Sequence, residues 1–276
     1  MTRGFSTGFL TLLVIFLAVL YLFLNYDNLI PSVQTPLPIV PQPSVPSQTP
    51  TPAYVTILQT KSVNWAGYVV ETNFENPQND SITSVASSWN IPTSDCTSVR
   101  NYFAAFWIGI DGFQSKSVEQ IGTDSDCFQG QPQYYAWYEM YPDADVSLNI
   151  ILNPGDIIRA SVEYIGNDNF NLTIVDLNTT DRVSSIVKST IANRDSAEWI
   201  AEAPSVGNRI LPLASFGTVA FDGAYVTVNG VRGPIYNEKW QFKKIVMENT
   251  NGMLKATPTD IMGDYSSFSV TWQQSR

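Results

Sequence analysis

The chain has 276 residues, 25 acidic side chains against 15 basic ones, a formal net charge of −10 and no histidine. Without histidine there is no Ser-His-Asp triad, no Cys-His pair and no HExxH zinc site, so hydrolytic chemistry must come from carboxylates, carboxamides, Lys, Tyr or backbone groups. The acidic balance leaves no basic patch to grip phosphates, which argues against nucleic acid as a partner. Only 14% of residues are charged, and a surface of that kind changes its charge little as pH falls, which suits an acidic habitat.

From the N-terminus, Phe9 to Leu24 are almost entirely apolar and uncharged. With their flanks they make roughly 18–20 residues, enough to cross a bilayer as a helix. Arg3 precedes the stretch and Asp27 follows it, so the positive-inside rule leaves the N-terminus cytoplasmic and the rest outside. The expected organisation is a cytoplasmic tail over 1–7, a transmembrane signal-anchor over 8–25, a proline-rich stalk over 26–60 and one β-domain over 61–276. A cleaved signal peptide is the competing reading, but Asn25 to Leu29 offer no small-x-small cleavage site. Prolines recur from Pro31 to Pro52 among Ser, Thr, Gln and Val, a composition that extends as polyproline II and packs no core. That stretch also reads as part of a removable propeptide.

Beyond it the signal is strand. Candidates are Val63–Val70, Ile82–Ile91, Tyr102–Ile110, Tyr134–Tyr141, Val219–Phe221, Trp240–Met247 and Phe268–Trp272. Ile158, Ala160, Val162 and Tyr164 alternate with polar residues, the turn Gly166-Asn167-Asp168-Asn169 follows, and alternation resumes at Phe170, Leu172 and Ile174, a hairpin with one apolar face. Asn229-Gly230 marks a tight hairpin turn. Many strands with regular turns and no long amphipathic helix predict two packed antiparallel sheets. Cys96 and Cys127 lie in polar, loop-like segments without metal-ligand spacing. Outside the cell they are expected to form one disulfide, the alternative being two free thiols. Sequons begin at Asn79, Asn171 and Asn178.

Five segments carry the chemistry: Asn64-Trp65-Ala66-Gly67-Tyr68, Trp107-Ile108-Gly109-Ile110-Asp111-Gly112, Gln120-Ile121-Gly122, Ala136-Trp137-Tyr138-Glu139-Met140-Tyr141-Pro142, and Ala197-Glu198-Trp199-Ile200-Ala201-Glu202. Together and in this order they resemble the glutamic peptidases, the eqolisin family of acid endopeptidases, over nearly all of the stretch from Asn64 onward. The resemblance implies a jelly-roll, concanavalin-like sandwich, polypeptide substrates, and a catalytic pair at Gln120 and Glu198. It places Trp65, Trp107, Asp111, Trp137 and Glu139 at the substrate cleft. It calls for no metal and no cofactor, and the expected state is a monomer held to the membrane by its N-terminal helix or secreted if that segment is cleaved. Two departures stand out. Eqolisins often have Asp immediately before Ala-Trp-Tyr-Glu, where this chain has Tyr135, and Met140 stands where Trp is frequent, a change expected at a substrate pocket.

The chemistry also stands on the residue types. Peptide hydrolysis needs an activated water, a stabilised oxyanion and a proton for the leaving nitrogen. One carboxylate serves twice, taking a proton from water and returning it to nitrogen, which is the role for Glu198. A carboxamide donates N–H to an oxyanion without titrating, so it works in acid, which is the role for Gln120. Two other readings compete. A glycoside hydrolase would use Glu139 and Glu198 as paired carboxyls and leave Gln120 idle, and a non-catalytic carbohydrate-binding sandwich would need neither Gln120 nor Glu198.

Overall fold

The computed structural model describes residues 57–276. The tail, the membrane segment and most of the stalk expected from the sequence lie outside the described residues. Among the described residues no helix is long and apolar enough to cross a membrane.

The described chain is all strand and loop. Its strands are β1 (Leu58–Ser62), β2 (Trp65–Glu71), β3 (Ile82–Asn90), β4 (Ala105–Ile110), β5 (Val118–Phe128), β6 (Gln131–Tyr141), β7 (Val146–Leu148), β8 (Ile157–Gly166), β9 (Asn169–Asp176), β10 (Arg182–Lys188), β11 (Ser196–Glu202), β12 (Ser205–Val206), β13 (Arg209–Ile210), β14 (Thr218–Val228), β15 (Val231–Pro234), β16 (Gln241–Glu248), β17 (Leu254–Pro258) and β18 (Phe268–Trp272). Hydrogen bonds link them along the path β10-β9-β8-β3-β14-β18-β17-β16-β2-β11-β4-β5-β6-β7, with β1 added to β16 and β15 to β14, while β12 and β13 form a separate ribbon. The main ladders are antiparallel, and β1 lies parallel to β16.

This path folds over into two layers, with β3, β8, β9 and β14 packed against β4, β5 and β11. Side-chain alternation explains why. In β8, Ile158, Ala160 and Val162 turn inward while Ile157, Arg159 and Glu163 face water. Opposite them, Phe106, Ile108, Ile121, Ala197 and Trp199 fill the same core. Trp89, Trp199, Phe170, Phe221 and Phe268 are completely or almost completely buried there, and each such side chain contributes about 2–3 kcal/mol relative to exposure.

The predicted strands at 82–91, 134–141 and 268–272 and the 158–174 hairpin have their counterparts in β3, β6, β18 and β8–β9. The strand β1 already begins at Leu58, ahead of Lys61, where the sequence placed the start of the domain. Met140 is not at a substrate pocket. It pairs with Glu119 in the β5–β6 register, one residue out of phase with Gln120 and Glu139, so its side chain joins the apolar core. Cys96 and Cys127 are joined by a disulfide, which ties the loop after β3 to the end of β5.

Candidate active site

The second face of the inner layer carries the polar residues of the sequence motifs. Residues that pair across antiparallel strands point to the same face. Glu198 on β11 pairs with Val69 on β2 and with Gly109 on β4, Gly109 pairs with Gln120 on β5, and Gln120 pairs with Glu139 on β6. One row therefore reads Val69, Glu198, Gly109, Gln120, Glu139. Two residues along the strands, a second row reads Gly67, Ile200, Trp107, Gly122, Trp137, and a third reads Trp65, Glu202, Ala105, Asp124, Tyr135. The face is a grid of acids and an amide interleaved with tryptophans.

Gly109 is the blank in the first row. A Cβ built there would meet Gln120 Cβ at 3.1 Å, the Trp107 ring at 3.1 Å and Val118 Cγ1 at 3.2 Å. The position between Glu198 and Gln120 therefore carries no side chain, and Gln120, Trp107 and Val118 close in around it. The main chains of Glu198 and Gln120 lie two strand spacings apart, roughly 10 Å. Glu139 and Glu198 lie three strand spacings apart, roughly 14 Å, with Gln120 between them. That ordering does not suit two carboxyls flanking one glycosidic bond.

A cleft of about 540 Å³ opens over this face, lined by Trp65, Gln120, Asp124, Trp137, Glu139 and Glu202 among others. Its volume suits a peptide segment or a small ligand. Gln120 Nε2 donates to Glu139 Oε2, and Gln120 Oε1 has no partner. The Glu139 contact fixes which way the amide points and leaves its second N–H free. Burial, with Asp145 nearby, raises the Glu139 carboxyl above its ordinary value, and the Gln120 hydrogen bond opposes this.

Glu198 is fully buried, and neither of its oxygens has a partner among the described residues; the Ser196 hydroxyl on the same face is likewise unpartnered. Burial pushes the Glu198 carboxyl well above the usual carboxylate range, the nearby Ser196 hydroxyl, outside hydrogen-bond geometry here, opposes this, and Asp111, Glu71 and Asp195 add to the rise. It sits in the row but does not line the cleft. Trp107 and Asp111, expected at the cleft, are also fully buried and do not line it. The Trp107 indole packs edge-on to Trp65 at 5.0 Å and donates from Nε1 to Glu202 Oε2 at 2.8 Å. Asp111 accepts the N–H groups of Arg194 and Asp195 at 2.9 and 3.0 Å, which clamps the lead-in to β11 against the end of β4 and so sets the position of Glu198.

Sequence reasoning gave Glu202 no role, yet it lines the cleft and accepts from both Trp107 and the Asn64 amide, the latter at 3.0 Å. Burial raises it to about 7, against those donors. The signal was in the chain: Glu198 and Glu202 are four residues apart on one strand, hence on one face.

The match to known proteins covers the same span. The family model described as "Peptidase A4 family" matches residues 63–272. Aspergillopepsin-2 of Aspergillus niger is 29% identical over 192 residues, which is 61% of this chain and 66% of that protein. Scytalidopepsin B of Scytalidium lignicola is 29% identical over 180 residues, 60% of this chain and 64% of that protein. The chain thus spans slightly less than two thirds of the length of these relatives. Among solved structures, scytalido-glutamic peptidase with a transition state analog inhibitor superposes with a TM-score of 0.64 over 77% of this chain and 99% of that one, at 24% identity, a likeness of fold. The chain belongs to the peptidase A4 family.

Proposed function

Taking that membership as premise, we propose that the chain is a glutamic-type endopeptidase that cleaves unfolded polypeptides in acid on a jelly-roll, concanavalin-like sandwich. The observation that carries the reading is the row Glu198, Gly109, Gln120, Glu139, which sets a carboxyl and an oriented carboxamide on either side of a position without a side chain. Water reaching Glu198 from the cleft beside Gln120 solvates its carboxyl and lets it ionise. Glu198 then takes a proton from that water as its oxygen attacks the scissile carbonyl carbon. The free N–H of Gln120 donates to the oxyanion, a contribution of about 3 kcal/mol at comparable sites. Glu198 passes the proton to the amide nitrogen, the C–N bond breaks, and the carboxylate is restored. Glu139 holds the Gln120 amide, and Trp65 and Trp137 wall the cleft. No step calls on a metal or a cofactor. The same reading puts the domain outside the cell as a monomer, held to the membrane by residues 8–25 or released if that segment is cut.

The test is the initial rate of cleavage of a denatured protein at acid pH. Glu198→Gln and Gln120→Ala each lower it by at least ~100-fold. The double variant is little worse than the poorer single one, since groups acting in one step are not additive. Glu139→Gln costs less than Glu198→Gln. Near-normal proteolysis by folded Glu198→Gln protein overturns the assignment, and hydrolysis of polysaccharide instead of protein points to the glycosidase.

A further inference from the structure

The β5–β6 end of the third row has no part in the mechanism above. It contains Asp124 and, paired with it across β5 and β6, Tyr135, the residue found where eqolisins often have Asp. The Tyr135 hydroxyl lies 2.9 Å from Asp124 Oδ2 and 2.9 Å from Asp126 Oδ2. A phenol has one proton, so it donates to only one of them. The other contact is a hydrogen bond only when that carboxyl is itself protonated and donates to the phenol oxygen. With both aspartates ionised, a lone pair would face a lone pair in a largely buried site, beside two uncompensated charges. One retained carboxyl proton would satisfy both contacts.

Both ends of the trio are anchored. The Trp137 indole N–H donates to Asp124 Oδ1 at 2.5 Å, and the backbone N–H of Ala104 donates to Asp126 Oδ1 at 3.1 Å. The ionisable groups on the same face as the trio are Glu202 from β11 and, four residues along β6 from Tyr135, Glu139. Among the described residues no lysine or arginine forms an ion pair with either aspartate. Burial, then the neighbouring Asp126, push Asp124 well above the usual carboxylate range against the Trp137 and Tyr135 donors, and burial raises Asp126 to about 6 against the Ala104 and Tyr135 donors, so the pair as a whole holds a proton more readily than free aspartates do. A proton on Asp124, the member whose other oxygen takes the Trp137 N–H, would let its carboxyl donate to the Tyr135 oxygen while the Tyr135 hydroxyl donates to Asp126.

We propose that Tyr135 is a positioning residue that couples Asp124 to Asp126 through one shared proton and thereby fixes the Trp137 wall of the substrate cleft. This rests on the peptidase reading of the cleft. Its consequence is a wall that is set only while the proton stays, so substrate affinity falls as pH rises even where the catalytic pair is intact.

Two variants and two readouts test it. Tyr135→Phe keeps the ring and removes the linking oxygen, and KM rises about tenfold in acid while kcat changes by less than about threefold, the split expected of a lost binding contact. Asp124→Asn supplies a permanent N–H donor to the Tyr135 oxygen and a carbonyl for the Trp137 indole. It raises the acid KM less than Tyr135→Phe does, and its KM no longer climbs with pH. The second readout is a fluorescence titration, with Trp137→Phe identifying the Trp137 signal. That signal changes with pH in the unaltered protein and shows no such transition in either Asp124→Asn or Tyr135→Phe. Because fluorescence needs no turnover, it decides the proton lock even if the protein cleaves no peptide. An unchanged KM and an unchanged titration in Tyr135→Phe overturn the proposal, as does an acid KM in Asp124→Asn raised as far as in Tyr135→Phe.

Discussion

The two layers of the sandwich are built from the same kind of strand but bury it differently. In the outer layer, β8 and β10 alternate between buried or half-buried and exposed positions. In the inner layer, β4 is buried at every residue, and β5 and β11 at all but their last. One face of those inner strands meets the common core. The other meets a small apolar cluster that includes Val69, Trp107, Val118, Ile200 and Ile245, with Glu198, Gln120 and Asp124 set among them. An outer strand keeps its polar groups in water at no cost. An inner strand removes carboxyls from water, which is tolerable mainly while they are neutral. The comparison separates a layer whose stability is indifferent to pH from one that depends on it.

Four experiments sharpen or break that contrast. The largest effect is expected from Glu198→Gln, which removes the peptide-cleaving rate by ~100-fold or more while raising the melting temperature at pH 7 by about 2–4 °C, since a buried group no longer has to ionise or hold a proton there. Activity lost together with stability at that pH would mean that Glu198 is a structural acid. Next, Gly109→Ala adds a methyl group where Gln120, Trp107 and Val118 already close in, and so displaces Gln120. Cleavage falls on the order of 10- to 100-fold, the range for small displacements of reacting groups, and a wild-type rate would show that the close packing at Gly109 does not set the position of Gln120.

The third experiment is a melting series across pH. Glu71 and Glu119 are raised to about 8, Glu202 to about 7, and Asp126 and Asp195 to about 6, with burial the first cause in each. Raised carboxyls mean that the folded state holds protons the unfolded chain releases. Their stabilisation is complete below about pH 4 and is lost as pH climbs through 6 to 8. The melting temperature should drop by about 10 °C or more between pH 4 and pH 8, and a flat profile would contradict the burial of these groups. The smallest effect belongs to the outer layer: Ile186→Thr, at a β10 position that is 69% exposed, should change stability by no more than about 0.5 kcal/mol at either pH.

The same contrast explains what the sequence revealed. The β8–β9 hairpin was legible because one face is wet, so apolar and polar residues alternate with period 2. The strand β5 was not read as a strand outside its Gln-x-Gly motif. Val118 to Phe128 carries Glu119, Asp124 and Asp126, and with both faces inside the protein the alternation has no reason to appear. The short β17 was missed for a related reason, since Leu254 to Pro258 contains Lys255, which is buried. Viewed alone, Glu198 beside Trp199 reads as a surface carboxylate on an edge strand, yet β11 lies between β2 and β4 in the interior of the layer. Motif order found Gln120 and Glu198, which fall in one row. It did not reveal that Glu198, Trp107 and Asp111 sit beneath the cleft surface, because depth is set by what packs over a strand. The link through Tyr135 depends on register between two strands, and the sequence showed only that an expected aspartate had been replaced.

The acid face also has a calorimetric consequence. Near pH 6 the folded domain holds carboxyl protons that the unfolded chain surrenders, so melting is a reaction with protons among its products. The surrounding buffer must absorb them, and the heat recorded includes the heat of protonating that buffer. Scans in two buffers of equal pH and different ionisation enthalpy should therefore disagree, and the slope of measured heat against buffer enthalpy counts the protons released. Glu198→Gln should lower that count by no more than one, a measure of how much of the stored acidity belongs to the proposed catalytic carboxyl and how much to its neighbours.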